Sequence, residues 1–587
     1  MRRPEAIRIA IACALAAIVF TIFSARLVHL HVTKHDKYAR LAAQKHSMRH
    51  PIHAERGRIV DCNGEVLATN LPVRTVFADA SHIKDPNAVA RIVAAHLGIV
   101  ETEIRQKIES GKKYVVLKRL VPAEVATALH REMQEQKLRG IYFEHDSIRT
   151  YPNGRMLGHV LGFLDHKRKG IQGIERTMNS ELAGRDGYRY TERDRTGREI
   201  VLYRGIEEDP VHGKTIRLTI DMGLQAILEE EIDATYRDLK PETVNAIIVD
   251  PHTGDILAMA SRPCFDPNEP GKALPEQMKN RSIIDMVEPG STFKIVVAAG
   301  ALNEGKVDEK TMIFCENGRF AYGGRTLKDH HGYGQMSVHD ILVKSSNIGS
   351  AKMALLMGGD KFHEYVRRFG FGERLGIQLP GEIPGLVHPP SRWDKLTITR
   401  MPMGHSVAVT PLQMAMGMSV IANGGRLMAP RIVKSIETKD GSIAENEPRL
   451  IREVVPEKTA RFVGGALAAV TQPGGTATYA RVNGFLVAGK TGTAEKVSPA
   501  GGYAKGKYVV SFLGYMPVEN PRFVCLVMVD EAKIASNLNY GGLVAAPVFS
   551  RIAEKAARHL DLVPTEPSIT LQQDPVAAAL ANKERNN

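Results

Sequence analysis

At 587 residues the chain exceeds what one ordinary hydrophobic core organises, so two or more domains are expected. A hydrophobic fraction of 43% and a charged fraction of 24% are normal for globular protein. The net charge of +13 fits attraction to an anionic surface, either lipid headgroups or an acidic polymer. Zinc-finger spacing, a basic DNA-reading helix and an aromatic RNA-binding string do not appear, so a specific nucleic-acid reading of that charge is poor.

The first element is apolar. Ile9 to Ala25 carries no charge and, as a helix, spans about 25 Å at ~1.5 Å per residue, slightly short of the ~30 Å hydrocarbon core. Leu27, Val28 and Leu30 extend the apolar face, and Arg26 can snorkel to the interface. Arg2, Arg3 and Arg8 precede the run and keep the short tail cytoplasmic. The run exceeds the ~7–15-residue core of a cleaved leader and no Ala-x-Ala site follows it, so residues 1–30 read as a tail and an uncleaved anchor. No second long apolar run occurs, which places the rest of the chain outside the cytoplasm. Residues 26 to about 50 read as a basic helix leading away from the membrane.

From about 51 to 205 the pattern is short strands, glycine turns and amphipathic stretches. Asp61-Cys62-Asn63-Gly64 separates Arg58-Ile59-Val60 from Val66-Leu67-Ala68 as in a hairpin, and Tyr151-Pro152-Asn153-Gly154 is another turn. A new pattern starts near Asn245. Ala246–Val249 and Ile256–Met259 flank a turn at residues 250–255, predicting a hairpin of buried strands. Further strands are predicted at Gly484–Lys490, Tyr508–Leu513 and Arg522–Val529, and a closing helix at Val544–Leu560 with Pro547 in its first turn. Strands from both ends around a helical middle predict an α/β (α+β) fold with a five-stranded, mostly antiparallel sheet packed by helices. The polar, proline-bearing stretch 561–587 reads as a flexible tail. Cys13, Cys62, Cys264, Cys315 and Cys525 form no Cys-x-x-Cys pair, so no zinc site or disulfide framework is expected; a Cys264–Cys315 bridge is left open. His330, His331 and His339 have no Glu or Cys at ligand spacing and read as a polar loop rather than a metal site.

Three strings carry chemistry in order along the chain: Ser291-Thr292-Phe293-Lys294, Ser345-Ser346-Asn347 and Lys490-Thr491-Gly492-Thr493. They fit the Ser-x-x-Lys, Ser-x-Asn and Lys-Thr-Gly elements of an acylating serine enzyme. Ser81-His82-Ile83-Lys84 fits the first pattern too, but reads as a solvated helix face; the ordered set distinguishes Ser291. Pro289-Gly290 breaks the chain and an apolar helix follows, so Ser291 sits at a helix start with Lys294 on the same face. A serine hydroxyl needs an adjacent base. Lysine serves only when neutral, and burial, a positive helix end and a second cation such as Lys490 all lower its pKa. Ser345 can relay a proton from Lys294 to a departing amine, and Asn347 can hold a substrate amide. Lys490, Thr491 and Gly492 suit a strand that binds an extended ligand, with Thr493 offering a hydroxyl to a carboxylate. The backbone N–H groups of Ser291 and Thr493 can form an oxyanion hole.

These residues resemble the penicillin-binding proteins, specifically the class B peptidoglycan D,D-transpeptidases. The resemblance covers about residues 20–560. Arg56–Asp61 with Asn63-Gly64 looks like the family's first pedestal motif; Arg149, Tyr151, Pro152 and Gly162 look like the second; Gly173, Glu175, Leu182, Gly184 and Gly187 look like the third. In the catalytic half Asp250-Pro251, Gly254, Asn280-Arg281, Glu288-Pro289-Gly290 and Thr410-Pro411-Leu412-Gln413 also fit. One departure is His405 after Met403-Gly404, where a smaller polar residue is expected. The resemblance implies a pedestal over 31–210, a transpeptidase domain over 211–560 and no metal or organic cofactor. It implies that Ser291 attacks the D-Ala-D-Ala carbonyl of a stem peptide, releases D-Ala and hands the acyl group to a neighbouring stem-peptide amine, and that β-lactams acylate the same serine. The implied partners are the membrane, a SEDS-type glycan polymerase and division proteins, with no nucleic acid; the implied place is the inner membrane with the catalytic domain in the periplasm. Within class B the division type fits best. An elongation-type enzyme, a carboxypeptidase or β-lactamase handing the acyl group to water, and a β-lactam sensor are the rival readings.

Overall fold

An apolar helix opens the chain. Helix α1 (Arg3–Val28) leaves Ile7, Phe20 and Phe23 exposed, and the apolar stretch continues to Thr33. The segment Ala6–Thr33 has 28 residues, contains an 18-residue stretch of mean hydropathy 2.5, and is long and apolar enough to cross a membrane. At ~1.5 Å per residue it covers about 42 Å, more than the ~30 Å core, so the shortfall expected from the charge-free run alone is made up by helix continuing through Arg26.

The computed structural model describes residues 3–37, 47–110, 114–192, 207–498 and 502–585. It divides into two units, Met1–Glu55 with Gly184–Gly213, and Arg56–Ala183 with Lys214–Asn587. In the first unit, besides α1, strand Ser47–Ile52 pairs antiparallel with Gly187–Glu192, which pairs in turn with Glu207–Glu208. The basic helix expected up to about residue 50 is therefore corrected at its end: 38–46 lie outside the described residues and 47–52 are strand.

The second unit has two hydrophobic cores. The smaller gathers Val76, Ile92, Leu97, Ile104 and Leu129 where three short helices meet strands Val66–Ala78 and Val115–Pro122. The first of those helices, Pro86–Leu97, shows why it starts and stops: Asp85 accepts from the N–H groups of Asn87 and Ala88, Pro86 needs no hydrogen bond there, and Gly98 takes a left-handed φ of 61°.

The predicted hairpin around residue 62 exists, with Ile59 opposite Ala68 and Val60 opposite Val66. It belongs to a larger sheet that joins distant parts of the chain. The order is Ile443–Glu445, Val433–Glu437, Thr215–Leu218, Ile59–Val60, Val66–Ala78, Val115–Pro122, with Ile141–Thr150 also paired to Val66–Ala78. Arg217 and Glu437, neighbours across this sheet, form an ion pair at 2.6 Å. Three stretches that resemble pedestal motifs converge on one buried carboxylate. Arg56 and Arg149 each donate to Glu175 at 2.6 Å, and the Tyr151 hydroxyl donates to it at 3.3 Å. Replacing Glu175 with glutamine would leave two buried arginine charges without their shared counter-ion, a loss of about 3–5 kcal/mol that denaturant unfolding would measure.

The larger core surrounds the predicted five-stranded sheet. Helix α2 (Met222–Leu239), capped by Asp221, leads into strands β1 (Thr243–Val249) and β2 (Ile256–Arg262). Helices α3 (Lys294–Asn303), α4 (Asn347–Met357), α5 (Pro411–Ala422) and α6 (Glu457–Thr471) make up much of the middle. Strands β3 (Ala488–Val497), β4 (Tyr503–Met516) and β5 (Phe523–Asp530) complete the sheet, in the order β2-β1-β5-β4-β3 and antiparallel throughout. Every residue of β1 is buried, because helices cover both faces. Helix α7 (Gly541–His559) packs on β4 and β5. Beyond it, Thr565 and Glu566 donate their backbone N–H groups to Gly484 O, Ile569 donates to Asn483, and Asp574 pairs with Arg551 at 3.0 Å ahead of helix α8 (Pro575–Arg585). All five cysteines are free thiols, so Cys264 and Cys315 are not bridged.

Candidate active site

The three strings fall on three different supports. Gly290–Phe293 is a single 3-10 turn that feeds α3, so Ser291 sits just before the helix and Lys294 opens it. Ser345 is the elbow between helix Val338–Val343 and α4, held at a left-handed φ of 58° that a residue with a side chain adopts at a cost of about 1–3 kcal/mol. Lys490, Thr491, Gly492 and Thr493 lie on β3, the edge strand of the sheet, whose outward backbone groups are not used by a neighbouring strand.

Close backbone contact brings the supports together. A Cβ on Gly492 would lie 2.4 Å from Ser511 Oγ and 3.0 Å from Pro289 O, and Gly290, at φ 58°, sits against the Thr493 backbone. A Cβ on Gly404 would lie 2.3 Å from Gly290 O. Glycine at these places lets the edge strand and the serine turn touch, which puts the N–H groups of Ser291 and Thr493 beside one another's segments.

Both lysines are fully buried. Lys294 Nζ donates to Ser345 O and to Asn347 Oδ1 at 2.8 Å, and lies 3.1 Å from Ser345 Oγ. Lys490 Nζ donates to the same Ser345 Oγ at 2.9 Å. Burial pushes the Lys294 amine well below the usual lysine range and the Lys490 cation pushes it further, with Asp329 opposing. Burial alone brings Lys490 down to about 7. Ser345 thus sits between two amines that avoid being charged together.

A cleft of about 1010 Å³ runs along this edge and is lined by Ser291, Ser345, Asn347, Thr491 and Thr493. Thr493 Oγ1 accepts from Gly541 N at 3.3 Å, at the start of α7. The positive end of that helix, Lys490 and the two threonine hydroxyls make the neighbourhood attractive to a carboxylate. The decoy is elsewhere: Ser81 is exposed in a short 3-10 turn and donates to Asp79 at 2.6 Å.

Several residues that the motifs did not indicate shape the site. Asp329 accepts from the N–H groups of Asn347 and Ile348 and from Ser346 Oγ, the last at 2.7 Å, so one carboxylate fixes the corner of the second string and caps α4. Only the acid's place in the polar loop before Ser345 hinted at it. His330 and His331 of that loop line the cleft without assembling as a metal set. Among the described residues the one close acidic group is Glu242, Asp530 and Glu531, and the Lys496 ammonium already sits among all three. His405, the departure from the expected pattern, lies on the cleft wall. Its Nδ1 is 2.8 Å from Glu288 and 3.0 Å from the Tyr503 hydroxyl, and Ser406 N donates to Glu288 at 2.9 Å. The Glu288 carboxylate just ahead of the serine turn therefore ties that turn to the wall and to the start of β4.

Comparison with known proteins agrees with this arrangement. The family model for the penicillin binding protein transpeptidase domain matches residues 244–554, and that for the penicillin-binding protein dimerisation domain matches 51–218. The chain is 32% identical to the probable peptidoglycan D,D-transpeptidase PenA of Neisseria gonorrhoeae over 557 residues, covering 94% of this chain and 92% of the relative. It is 31% identical to the peptidoglycan D,D-transpeptidase FtsI of Escherichia coli K12 over 565 residues, 95% and 92% of the two chains. Among solved structures, penicillin binding protein 3 of Mycobacterium tuberculosis, complexed with aztreonam, superposes with a TM-score of 0.68 at 27% identity, covering 89% of this chain and all of that one. A serine turn, an elbow and an edge strand meeting around two buried lysines, in a chain matched along nearly its whole length, leave one conclusion: it belongs to the penicillin-binding protein transpeptidases.

Proposed function

We propose that the protein is a membrane-anchored peptidoglycan D,D-transpeptidase that cross-links stem peptides through an acyl-Ser291 intermediate, and that β-lactams acylate the same residue. The observation that carries the reading is the buried Lys294–Ser345–Lys490 chain opening on Ser291 in the cleft. Neutral Lys294 takes the Ser291 proton as the oxygen attacks the penultimate D-Ala carbonyl. The oxyanion that forms is met by the N–H groups of Ser291 and Thr493, each such donor contributing about 2.7–4 kcal/mol of transition-state stabilisation. Ser345, within reach of Lys294 Nζ, passes a proton to the departing D-Ala amine, and Asn347 holds the substrate amide. Lys490, Thr491 and Thr493 receive the terminal carboxylate, while Gly492 lets the peptide lie along the edge strand as an added strand. The acyl group then goes to the amine of a second stem peptide, which releases Ser291 and closes the cross-link.

Transfer rather than hydrolysis is the expected outcome when the protein is incubated with a donor peptide ending in D-Ala-D-Ala and an amine acceptor. The cross-linked amide should accumulate; free acid as the sole product would reassign the protein as a carboxypeptidase.

The anchor (1–30), pedestal (31–210), transpeptidase domain (211–560) and C-terminal tail (561–587) are taken as the working parts. Arg2, Arg3 and Arg8, ahead of the charge-free run Ile9–Ala25, support a cytoplasmic N-terminus and a periplasmic catalytic domain. A SEDS-type polymerase and division proteins are the proposed partners, met through the anchor and pedestal, and the proposed role is septal. A tagged copy in growing cells should gather at midcell and be cut by protease added to spheroplasts. Patches along the side wall would indicate an elongation enzyme, and protection from protease would reverse the orientation.

A further inference from the structure

Strand β3 does not end its business at Thr493. Side chains two apart on a strand share a face, and Thr491, Thr493 and Glu495 all line the cleft. The next residue, Lys496, is bound by Glu242 at 2.9 Å, Glu531 at 2.8 Å and Asp530 at 3.1 Å. Glu495 is in the opposite condition. Among the described residues it is the one carboxylate on the cleft wall, it is half-buried, and no cationic side chain is paired with it. Tyr508 stands directly across from it on β4, and the phenol rings of Tyr333, Tyr479 and Tyr540 line the same cleft. Burial, and after it the Glu495 carboxylate, raise the Tyr508 phenol above its ordinary value, as expected for a phenol beside an unneutralised acid. A carboxylate that a phenol hydroxyl holds but no cation neutralises, set among aromatic faces, is a site for a primary ammonium.

The position along the strand says which ammonium. With the terminal carboxylate at Thr491 and Thr493 and the scissile carbonyl at Thr493 N–H, the rest of an extended donor runs on past Thr493. Glu495 is about 7 Å further along, one to two peptide residues away. Donor and acceptor are copies of one polymer. In the proposed reaction the acceptor attacks through a stem-peptide side-chain amine, so the donor carries the same amine. Resting on the acyl-serine reading above, we propose that Glu495 binds the side-chain ammonium of the residue preceding D-Ala-D-Ala in the donor stem peptide, and so selects donors whose amine is still free.

The test compares two synthetic donors ending in D-Ala-D-Ala, one with a free side-chain amine on the preceding residue and one with that amine acetylated. Release of D-Ala by the full-length protein in detergent gives kcat/KM for each. The wild type should favour the free amine by about five- to tenfold, the worth of one half-exposed ion pair reinforced by aromatic faces. In Glu495→Gln the ratio should fall to about one, and Glu495→Asp should retain part of it. A Glu495→Gln ratio equal to that of the wild type overturns the proposal. So does a wild type indifferent to donor acetylation, including one that responds only to acetylation of the acceptor. Fluorescent-penicillin labelling of the same samples reports on Ser291 separately, so an unlabelled wild type would overturn the acyl-serine reading and not the assignment of Glu495.

Discussion

Replacing Ser291 with alanine should abolish labelling by fluorescent penicillin, while the wild type is labelled through a bond that survives denaturation. The expectation is all-or-none because the proposed mechanism makes that oxygen the atom acylated, and no neighbouring hydroxyl stands in its place. Ser345 is 8% exposed and its oxygen is already engaged by Lys490 and close to Lys294. Thr493 holds the start of α7. The substitution removes one hydroxyl from half-buried Ser291, in a turn whose shape is set by Gly290 and the backbone of β3, so melting should barely change. Equal labelling of the two proteins would move the nucleophile elsewhere and undo the proposed mechanism.

The second large effect separates activity from stability. Lys294→Met should lower the rate of acylation by about 10²–10⁴, the usual contribution of a positioned base, and should raise the melting temperature at neutral pH. The sign follows from burial. Lys294 is fully buried and its amine is held well below its ordinary value of 10.5, first by desolvation and then by Lys490. In the unfolded chain the same amine is protonated at neutral pH, so the unfolded state binds more protons. Stability therefore rises with pH from the lowered folded value up to about 10.5. Methionine fills similar volume without an amine to desolvate, which removes both the penalty and that part of the pH slope. Thermal melts of the two proteins at pH 6, 7.5 and 9 measure it. A variant that melts lower than the wild type throughout would mean that Lys294 stabilises the fold and that its burial does not poise it as a base.

Much of the site was legible because its chemistry needs particular residue types close together in sequence. Ser291 and Lys294, Ser345 and Asn347, and Lys490 to Thr493 are each local, and each is near the others in the fold. Strands β1 and β2 were legible as apolar runs about a turn. Strand β3 was only half so: the expected Gly484–Lys490 is in fact Ala488–Val497. Its second half interleaves Thr491, Thr493 and Val497 with the strand-poor Gly492, Ala494, Glu495 and Lys496, so the local pattern is weak and pairing with β4 sets the strand. Asp329 and the Glu288–His405–Tyr503 contact depend on residues brought together only by folding, and no spacing announces them. The seven-stranded sheet escaped for the same reason, since its neighbours Ile59, Ile216 and Ile436 come from three remote stretches.

That sheet bears on where the chain can be cut. A fragment begun at residue 244, where the transpeptidase family match starts, lacks Thr215–Leu218 and Ile59–Val60 and leaves Val433–Glu437 with a bare edge. It also strips the cover from Val433 and loses the partner of Glu437, giving an open ladder of the kind that invites strand-to-strand aggregation. The smallest piece that keeps every backbone partner of this sheet begins near Arg56, so the unit of inheritance and the unit of folding have different borders in this protein.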